Sequence, residues 1–228
     1  MSLIARLTER SWDPATSAAA AASATGPMDV FAGRQVMLHI FLVIVSVIFL
    51  LFFLTFIAHS QYPGFETLTG EPWKPLASTT QLWINTGVLA MASLMMHMGL
   101  TRARQGLTGQ AVGFTMVAAF FTIQFVLAQL WLWRDLHGMG HTLVSNPSHS
   151  YFYLMTAVHV LHLVGGLVIM LGALAIIWRR AAVERLERSL KLCSTYWHYL
   201  LGLWLVLFVL LTRSPETYRT IAILCGLG

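Results

Sequence analysis

Five long apolar stretches alternate with shorter polar connections along the chain. Each stretch is close to the roughly 20 residues with which an α-helix crosses a hydrocarbon core of about 30 Å. Each has to be helical, because an unpaired backbone polar group costs several kcal/mol in lipid. The pattern therefore predicts an all-α integral membrane protein, a bundle of five transmembrane helices. They cover Val36–Ala58, Thr80–Leu100, Gln110–Trp133, Tyr151–Trp178 and Ser194–Thr212.

The polar ends of the sequence divide the chain into three parts. A low-complexity run lies between Thr16 and Pro27 and contains no apolar core, so residues 1–35 are expected to form a flexible cytoplasmic tail. No apolar stretch follows Arg6 and Arg10 before Val36, and a secretory signal is therefore not expected. A five-helix membrane domain, residues 36–212, and a short periplasmic tail, residues 213–228, complete the predicted organisation.

Composition and charge agree with a membrane location. The chain has 228 residues, of which 57% are apolar and 10% charged, whereas soluble domains carry about a quarter charged residues. Ten of the fourteen basic residues fall on the side that holds the N-terminus, so the positive-inside rule predicts an N-in, C-out orientation. The net charge of +5 then reflects contact with anionic membrane lipids, and no nucleic acid partner is expected. The ten are Arg6, Arg10, Arg34, Arg102, Arg104, Arg179, Arg180, Arg185, Arg188 and Lys191, and the other four are Lys74, Arg134, Arg213 and Arg219.

The acidic residues and cysteines exclude other classes of membrane protein. All nine carboxylates lie outside the five predicted spans, whereas ion transporters usually keep an ionisable group at membrane depth. Cys193 and Cys225 lie at opposite ends of the last predicted helix, too far apart for a disulfide. The sequence thus disfavours a self-contained ion transporter and predicts no internal disulfide.

Two histidines on the fourth predicted helix are the main candidates for a metal or haem site. His159 and His162 share a helix face, and His162 lies about 16 Å below the start of the helix. The histidines on other helices, His39, His97 and His198, fall near the cytoplasmic ends instead. A haem between two helices would lack its second histidine ligand. We therefore expect both to be structural, hydrogen-bonded within the protein, and predict no catalytic, cofactor-binding or metal site in this chain.

Aromatic and small residues mark the fourth and fifth predicted helices. The cluster at Tyr196, Trp197, His198 and Tyr199, with Trp204 beyond it, is typical of the aromatic belt at a membrane interface. Small residues on the fourth helix predict close approach of a second helix. They are Ala157, Gly165, Gly166, Gly172 and Ala173.

Three segments, taken together, resemble subunit III of the haem–copper oxidases in its short, five-helix form. Residues 152–166, which include His159 and His162, are similar to the family segment Thr-Gly-Phe-His-Gly-Leu-His-Val-Ile-Ile-Gly. Residues 196–204 are similar to its Tyr-Trp-His-Phe-Val-Asp-Val-Val-Trp segment, and Asn85-Thr86 to its Asn-Thr helix start. The family-motif residues are Asn85, Thr86, His159, His162, Tyr196, Trp197, His198 and Trp204.

The resemblance implies a subunit without an active site of its own in a cytochrome c oxidase type complex, which reduces oxygen and pumps protons. The haem and copper would be held by partner subunits I and II, and this chain would pack against subunit I and bind phospholipid. Acidic residues of the family are replaced here by Leu132 and Leu201, so a proton-antenna role does not carry over. An accessory subunit of a quinol oxidase or nitric oxide reductase, and an independent small-molecule or lipid-binding membrane protein, remain alternatives.

Overall fold

The computed structural model describes residues 27–62, 80–140, 147–180, 183–213 and 215–224. Within these ranges all regular structure is helical. The six helices are α1 (Pro27–His59), α2 (Thr80–Arg104), α3 (Thr108–Gly138), α4 (Pro147–Arg180), α5 (Val183–Leu211) and α6 (Pro215–Leu224).

Five of these helices are long and apolar enough to cross a membrane, which confirms the five spans predicted from the sequence. The apolar segments run Phe31–His59, Thr80–Arg104, Thr108–Gly138, Pro147–Gly172 and Leu186–Thr212. The N-in, C-out orientation stays a prediction.

Several helices extend beyond the apolar stretches. α1 begins at Pro27, where a proline suits the first turn of a helix because it has no N–H to leave unpaired. α5 begins at Val183, and its first turns are amphipathic: Leu186 is buried, whereas Glu187 and Arg188 are partly exposed. Hydropathy alone does not detect such turns, because their charged side chains cancel the apolar signal.

The acidic residues are consequently closer to the spans than expected. Asp135 and Glu187 lie within the helical spans, although both are in the end turns. The indole Nε1 of Trp131 donates to Asp135 Oδ2 at 2.9 Å, and Arg104 Nε lies 3.8 Å from Glu187 Oε1. Both carboxylates therefore have partners at the ends of the helices.

A short sixth helix follows α5 and was not predicted. α6 has only 10 residues and cannot span a bilayer. Tyr218 and Ala222 are buried, and the Tyr218 hydroxyl donates to Leu210 O at 2.6 Å. Burial raises the pKa of Tyr218 above its ordinary value. Two apolar anchors and one hydrogen bond thus fix α6 against the rest of its unit.

The chain divides into two compact units at Val43, within α1. The first unit contributes only the beginning of α1 to the described residues, and Val36, Met37 and Ile40 are exposed there. The second unit, from Ile44 onward, holds the rest of α1 and the other five helices. Its core is a four-helix arrangement in which α2 packs against α3 and α5, and α4 packs against α5 and α3.

A three-residue turn joins α2 to α3 and makes them antiparallel neighbours. Gly106 has a φ of 76°, in the left-handed region that favours glycine. The amides of Gly106 and Leu107 donate to Ala103 O and Arg102 O, both at 3.0 Å, which satisfies two carbonyls in the last turn of α2. At Gly99 a Cβ atom would lie only 2.9 Å from Thr115 Oγ1, so glycine permits the close approach of the two helices.

The small residues predicted on the fourth helix differ in what they contact. At Gly166 a Cβ atom would overlap the ring of Tyr196, so the close approach expected from the sequence is confirmed there. Gly165 and Gly172 have nothing within 4 Å of such an atom. The side chain of Ala173 lies outside the described residues.

Candidate functional site in the helix bundle

Three hydrogen bonds of one kind link the helices of the core. In each, a tryptophan indole N–H donates to a threonine hydroxyl on a neighbouring helix, and that hydroxyl donates to the carbonyl oxygen four residues earlier in its own helix. In each of these three links, the indole hydrogen and the hydroxyl hydrogen both have an acceptor within the protein. The pairs are Trp204 with Thr86 at 2.9 Å, Trp197 with Thr122 at 3.0 Å, and Trp133 with Thr156 at 3.2 Å.

The predicted aromatic belt is wrong for Trp197 and Trp204. Each is only 1% exposed, and both indoles are packed inside the bundle. A buried indole usually finds a hydrogen-bond acceptor, and the threonines of the neighbouring helices supply one. The sequence showed a cluster of aromatic residues but not the direction in which each ring points.

Tyr196 joins α5 to α4 through a backbone carbonyl. Its hydroxyl donates to His162 O at 3.0 Å, and its ring lies over Gly166. The side chain is 9% exposed. Tyr196 therefore also belongs to the packing between α4 and α5.

The two histidines of α4 have different surroundings. His162 Nδ1 donates to Val158 O at 2.7 Å, as expected for a structural histidine. His159 is fully buried, with its ring centroid 5.3 Å from that of Trp204 and 5.9 Å from that of Phe125. Among the described residues neither ring nitrogen of His159 has a hydrogen-bond partner, so the expectation of an internal hydrogen bond was wrong for this residue.

These surroundings do not fit a haem or metal ion held by this chain. The rings that contact His159 are aromatic side chains without a metal-ligating atom in position. In the described part of the chain, no group of three or more His, Cys, Asp or Glu residues is arranged to hold a metal ion. That the chain carries no cofactor stays a prediction.

Two further polar residues are buried in the core. Asn85 is 1% exposed and Gln129 is fully buried, and within the described ranges Asn85 Nδ2 and both amide atoms of Gln129 have no hydrogen-bond partner. The sequence analysis named Asn85 as a motif residue but assigned no role to Gln129, Trp133, Thr122 or Thr156. A polar residue within a predicted span was the signal for Gln129.

An imidazole pair lies on the outer surface where α2 meets α5. The rings of His97 and His198 are stacked, with centroids 5.6 Å apart and planes inclined by 24°. Ser93 Oγ and His198 Nδ1 are hydrogen-bonded at 2.5 Å. Both histidines are exposed. The sequence analysis named His198 as a motif residue and did not predict that His97 would be its neighbour.

A groove lies between α5 and the second half of α1. It has a volume of about 470 Å³ and an almost entirely apolar lining. Ser46 and Tyr199, whose hydroxyls are hydrogen-bonded at 2.8 Å, supply its polar atoms. The other lining residues are Phe49, Leu50, Phe53, Gly202, Leu203, Val206 and Leu207.

Comparison with known proteins gives one consistent result. A sequence model of the family described as cytochrome c oxidase subunit III matches residues 2–213. The chain is 24% identical over 149 residues to cytochrome bo(3) ubiquinol oxidase subunit 3 of Pseudomonas aeruginosa, which covers 63% of this chain and 68% of the relative. It is 28% identical over 149 residues to cytochrome c oxidase subunit 3 of Thermostichus vulcanus, covering 62% and 71%. The corresponding protein of Synechocystis is 29% identical over 131 residues, covering 56% and 54%.

Proposed function

Because the chain belongs to the cytochrome c oxidase subunit III family, we propose that it is the non-catalytic subunit III of a terminal oxidase complex in a bacterial inner membrane. In that complex the haem and copper are held by subunits I and II, and oxygen reduction is coupled to proton pumping. This chain stabilises subunit I and binds phospholipid.

The hydrogen bonds that the motif residues make between helices carry the proposal that this chain supports a partner subunit. The motif residues Thr86, Trp197 and Trp204 are hydrogen-bonded to neighbouring helices, and Tyr196 to a backbone carbonyl. His159 is enclosed by aromatic rings. These motif residues therefore link α2, α3, α4 and α5 to one another, which is what a scaffold for a larger partner requires.

The groove between α1 and α5 supports the proposed lipid binding. Aliphatic and aromatic side chains form nearly all of its lining, which suits an acyl chain. The hydroxyls of Ser46 and Tyr199 already bond to each other, so they leave little polar surface in the groove. A phospholipid tail in this groove would cover apolar surface that the helices leave between them.

A quinol-oxidizing complex is the second candidate. The relatives include a subunit of a ubiquinol oxidase as well as subunits of cytochrome c oxidases, at similar levels of identity. Because the electron donor binds to other subunits in this proposal, the present chain has no residue from which to identify the donor.

Purification in mild detergent tests the assignment. A tag on the chain should recover a complex with haem absorbance, larger partner subunits and bound phospholipid. Oxygen consumption with reduced cytochrome c, compared with that on ubiquinol, then separates the two candidates. Recovery of the intact chain without any haem protein, from cells that express the whole oxidase, would contradict the proposed function.

A further inference from the structure

We propose that the core of the helix bundle contains a water-binding site between Asn85, Gln129 and His159, which come from α2, α3 and α4. The site lies wholly within this chain, so the inference does not depend on the complex that the chain joins.

These three side chains are buried with unused hydrogen-bonding capacity. Asn85 is 1% exposed, and Gln129 and His159 are fully buried. Among the described residues, Asn85 Nδ2, both amide atoms of Gln129 and both ring nitrogens of His159 have no hydrogen-bond partner. Polar groups in a protein core are almost always hydrogen-bonded, to protein or to ordered water. A further hydrogen-bonding molecule is therefore needed here.

The register between α2 and α3 places Asn85 opposite Gln129. The close approach of Gly99 to Thr115 fixes this register. Asn85 lies 14 residues before Gly99, and Gln129 lies 14 residues after Thr115. Because the helices are antiparallel and 14 residues make about four turns, the two amides lie at the same level on the facing sides. The other positions paired in this register are buried as well: Ala103 with Ala111, Met96 with Ala118, Ala92 with Thr122, Leu89 with Phe125, and Leu82 with Leu132.

Gln129 also faces α4, at the level of His159. Phe125, four residues before Gln129, has its ring centroid 5.9 Å from that of His159. Trp133, four residues after Gln129, donates to the Thr156 hydroxyl at 3.2 Å. Residues four apart share one face of a helix, so Gln129 lies between two contacts that α3 makes with α4.

Trp204 borders the same region from α5. Its ring centroid is 5.3 Å from that of His159, and its indole donates to Thr86, the residue after Asn85. The same ring lies 4.9 Å from that of Phe125, one turn from Gln129. The three polar side chains are thus grouped beside one indole.

Direct hydrogen bonds among the three side chains cannot satisfy all of them. The amides of Asn85 and Gln129 each have two N–H donors, and a neutral imidazole has one. The acceptors without a partner in the described part of the chain are Gln129 Oε1 and one ring nitrogen of His159. Even if Oε1 accepts two bonds, N–H donors remain. A water molecule supplies the further acceptor and can still donate to Oε1 or to the imidazole.

The chemistry of the three side chains favours water over an ion. Amides and a neutral imidazole have no net charge, and an ion without a counter-charge is strongly disfavoured in a protein core. Buried waters typically make about three hydrogen bonds to polar groups that otherwise lack partners. One water between these side chains would join α2, α3 and α4 through hydrogen bonds.

Hydroxyl-radical footprinting of the full chain in lipid nanodiscs tests the site. Radicals formed from a bound water oxidise the side chains beside it, so Trp204 should be oxidised several-fold faster than Trp197. The two tryptophans are matched, since each is 1% exposed and donates to a threonine of a neighbouring helix. Equal rates for the two would overturn the proposed water.

Two variants test which side chains hold the water. Gln129→Leu removes the amide and should lower the oxidation rate of Trp204 to that of Trp197. Ser93→Ala is the control: Ser93 is 2% exposed on α2 and bonds to His198, so this variant should leave the rate unchanged. An unchanged rate in Gln129→Leu, or an equal fall in both variants, would overturn the assignment. Helicity and size-exclusion profiles verify that each variant is folded.

A high-resolution density map of the unchanged protein provides a test that needs no variant. A peak within about 3.2 Å of both Gln129 and His159 is expected. A direct bond between Asn85 and Gln129, with no peak beside them, would overturn the water site.

Discussion

The indole nitrogen of Trp204 donates a hydrogen bond of 2.9 Å to the hydroxyl of Thr86, which joins α5 to α2 in the middle of the core. The Thr86 hydroxyl in turn donates a hydrogen bond of 2.8 Å to Leu82 O. One threonine thus accepts from the indole N–H and donates to a backbone carbonyl. Two family-motif residues that are 118 positions apart thus form one structural unit.

Thr86→Val should destabilise the fold although it conserves the shape of the side chain. It leaves the Trp204 N–H unpaired in a buried site, which costs about 1–3 kcal/mol. The free energy of unfolding can be measured by titrating the purified chain in mild detergent with sodium dodecyl sulfate and following helicity. Trp131→Phe is the control, because Trp131 is 68% exposed and its recorded bond, among the described residues, is to Asp135 in the same helix. Equal stability of Thr86→Val and the unchanged protein would contradict the role of the bond.

Gly166→Ala should weaken the contact between α4 and α5. The added methyl group would overlap the ring of Tyr196, and such overpacking costs about 1–3 kcal/mol. Gly165→Ala is the matched control: it has nothing within 4 Å, and alanine favours a helix over glycine by about 1 kcal/mol. The same titration should therefore show opposite signs for two adjacent glycines, and identical shifts would count against the close approach.

His159→Phe should leave the haem content of the purified complex unchanged. Phenylalanine preserves the ring contacts with Phe125 and Trp204 and removes two nitrogens that have no partner among the described residues. Stability should be unchanged or higher by up to about 2 kcal/mol, whereas His159→Ala should lose about 3 kcal/mol through the cavity it creates. Loss of a haem absorption band from an intact complex of His159→Phe would show that His159 is a ligand.

The C-terminus should lie on the periplasmic side. Ten of fourteen basic residues are on the opposite side of the predicted arrangement, and α6 is too short to add a crossing. A reporter that is active only outside the cytoplasm should work when fused after Gly228, and a cytoplasmic reporter there should not. The opposite result would reverse the orientation.

Removal of the subunit should leave initial oxygen reduction largely intact, with activity decaying faster over many turnovers. The described span carboxylates, Asp135 and Glu187, are in end turns and have partners, so proton transfer through this chain is not expected. Added lipid should slow the decay more than small carboxylate buffers do, because the effect would act through the packing of subunit I. Full restoration by carboxylates, with none by lipid, would instead indicate a proton conduit.

Hydropathy predicted the five spans because a helix needs about 20 apolar residues to cross the lipid. Stretches of this length can be recognised from the residue types alone. It missed α6 and the first turns of α5, where one helix face is apolar and the other charged. These segments are stabilised by packing of Tyr218 and Leu186, which depends on neighbours far along the chain.

The motif residues were identifiable from the sequence, but their roles were not. Tryptophan and threonine are both common in membrane helices, and no spacing indicates that Trp197 bonds to Thr122, 75 positions away. The direction of a side chain follows from the rotation of its helix, which is set by the whole bundle. The two rings that contact His159 come from other helices, Phe125 from α3 and Trp204 from α5, and this neighbourhood also depends on the rotation of each helix.

The three-residue turn at Gly106 also bears on how the protein is made. α2 and α3 are joined by so short a connection that little chain entropy opposes their pairing. Because residue 99 is a glycine, α2 and α3 can pack closely as soon as both have been synthesised. α2 and α3 can thus enter the bilayer during translation as one helical hairpin. α4 and α5 would then pack against this hairpin.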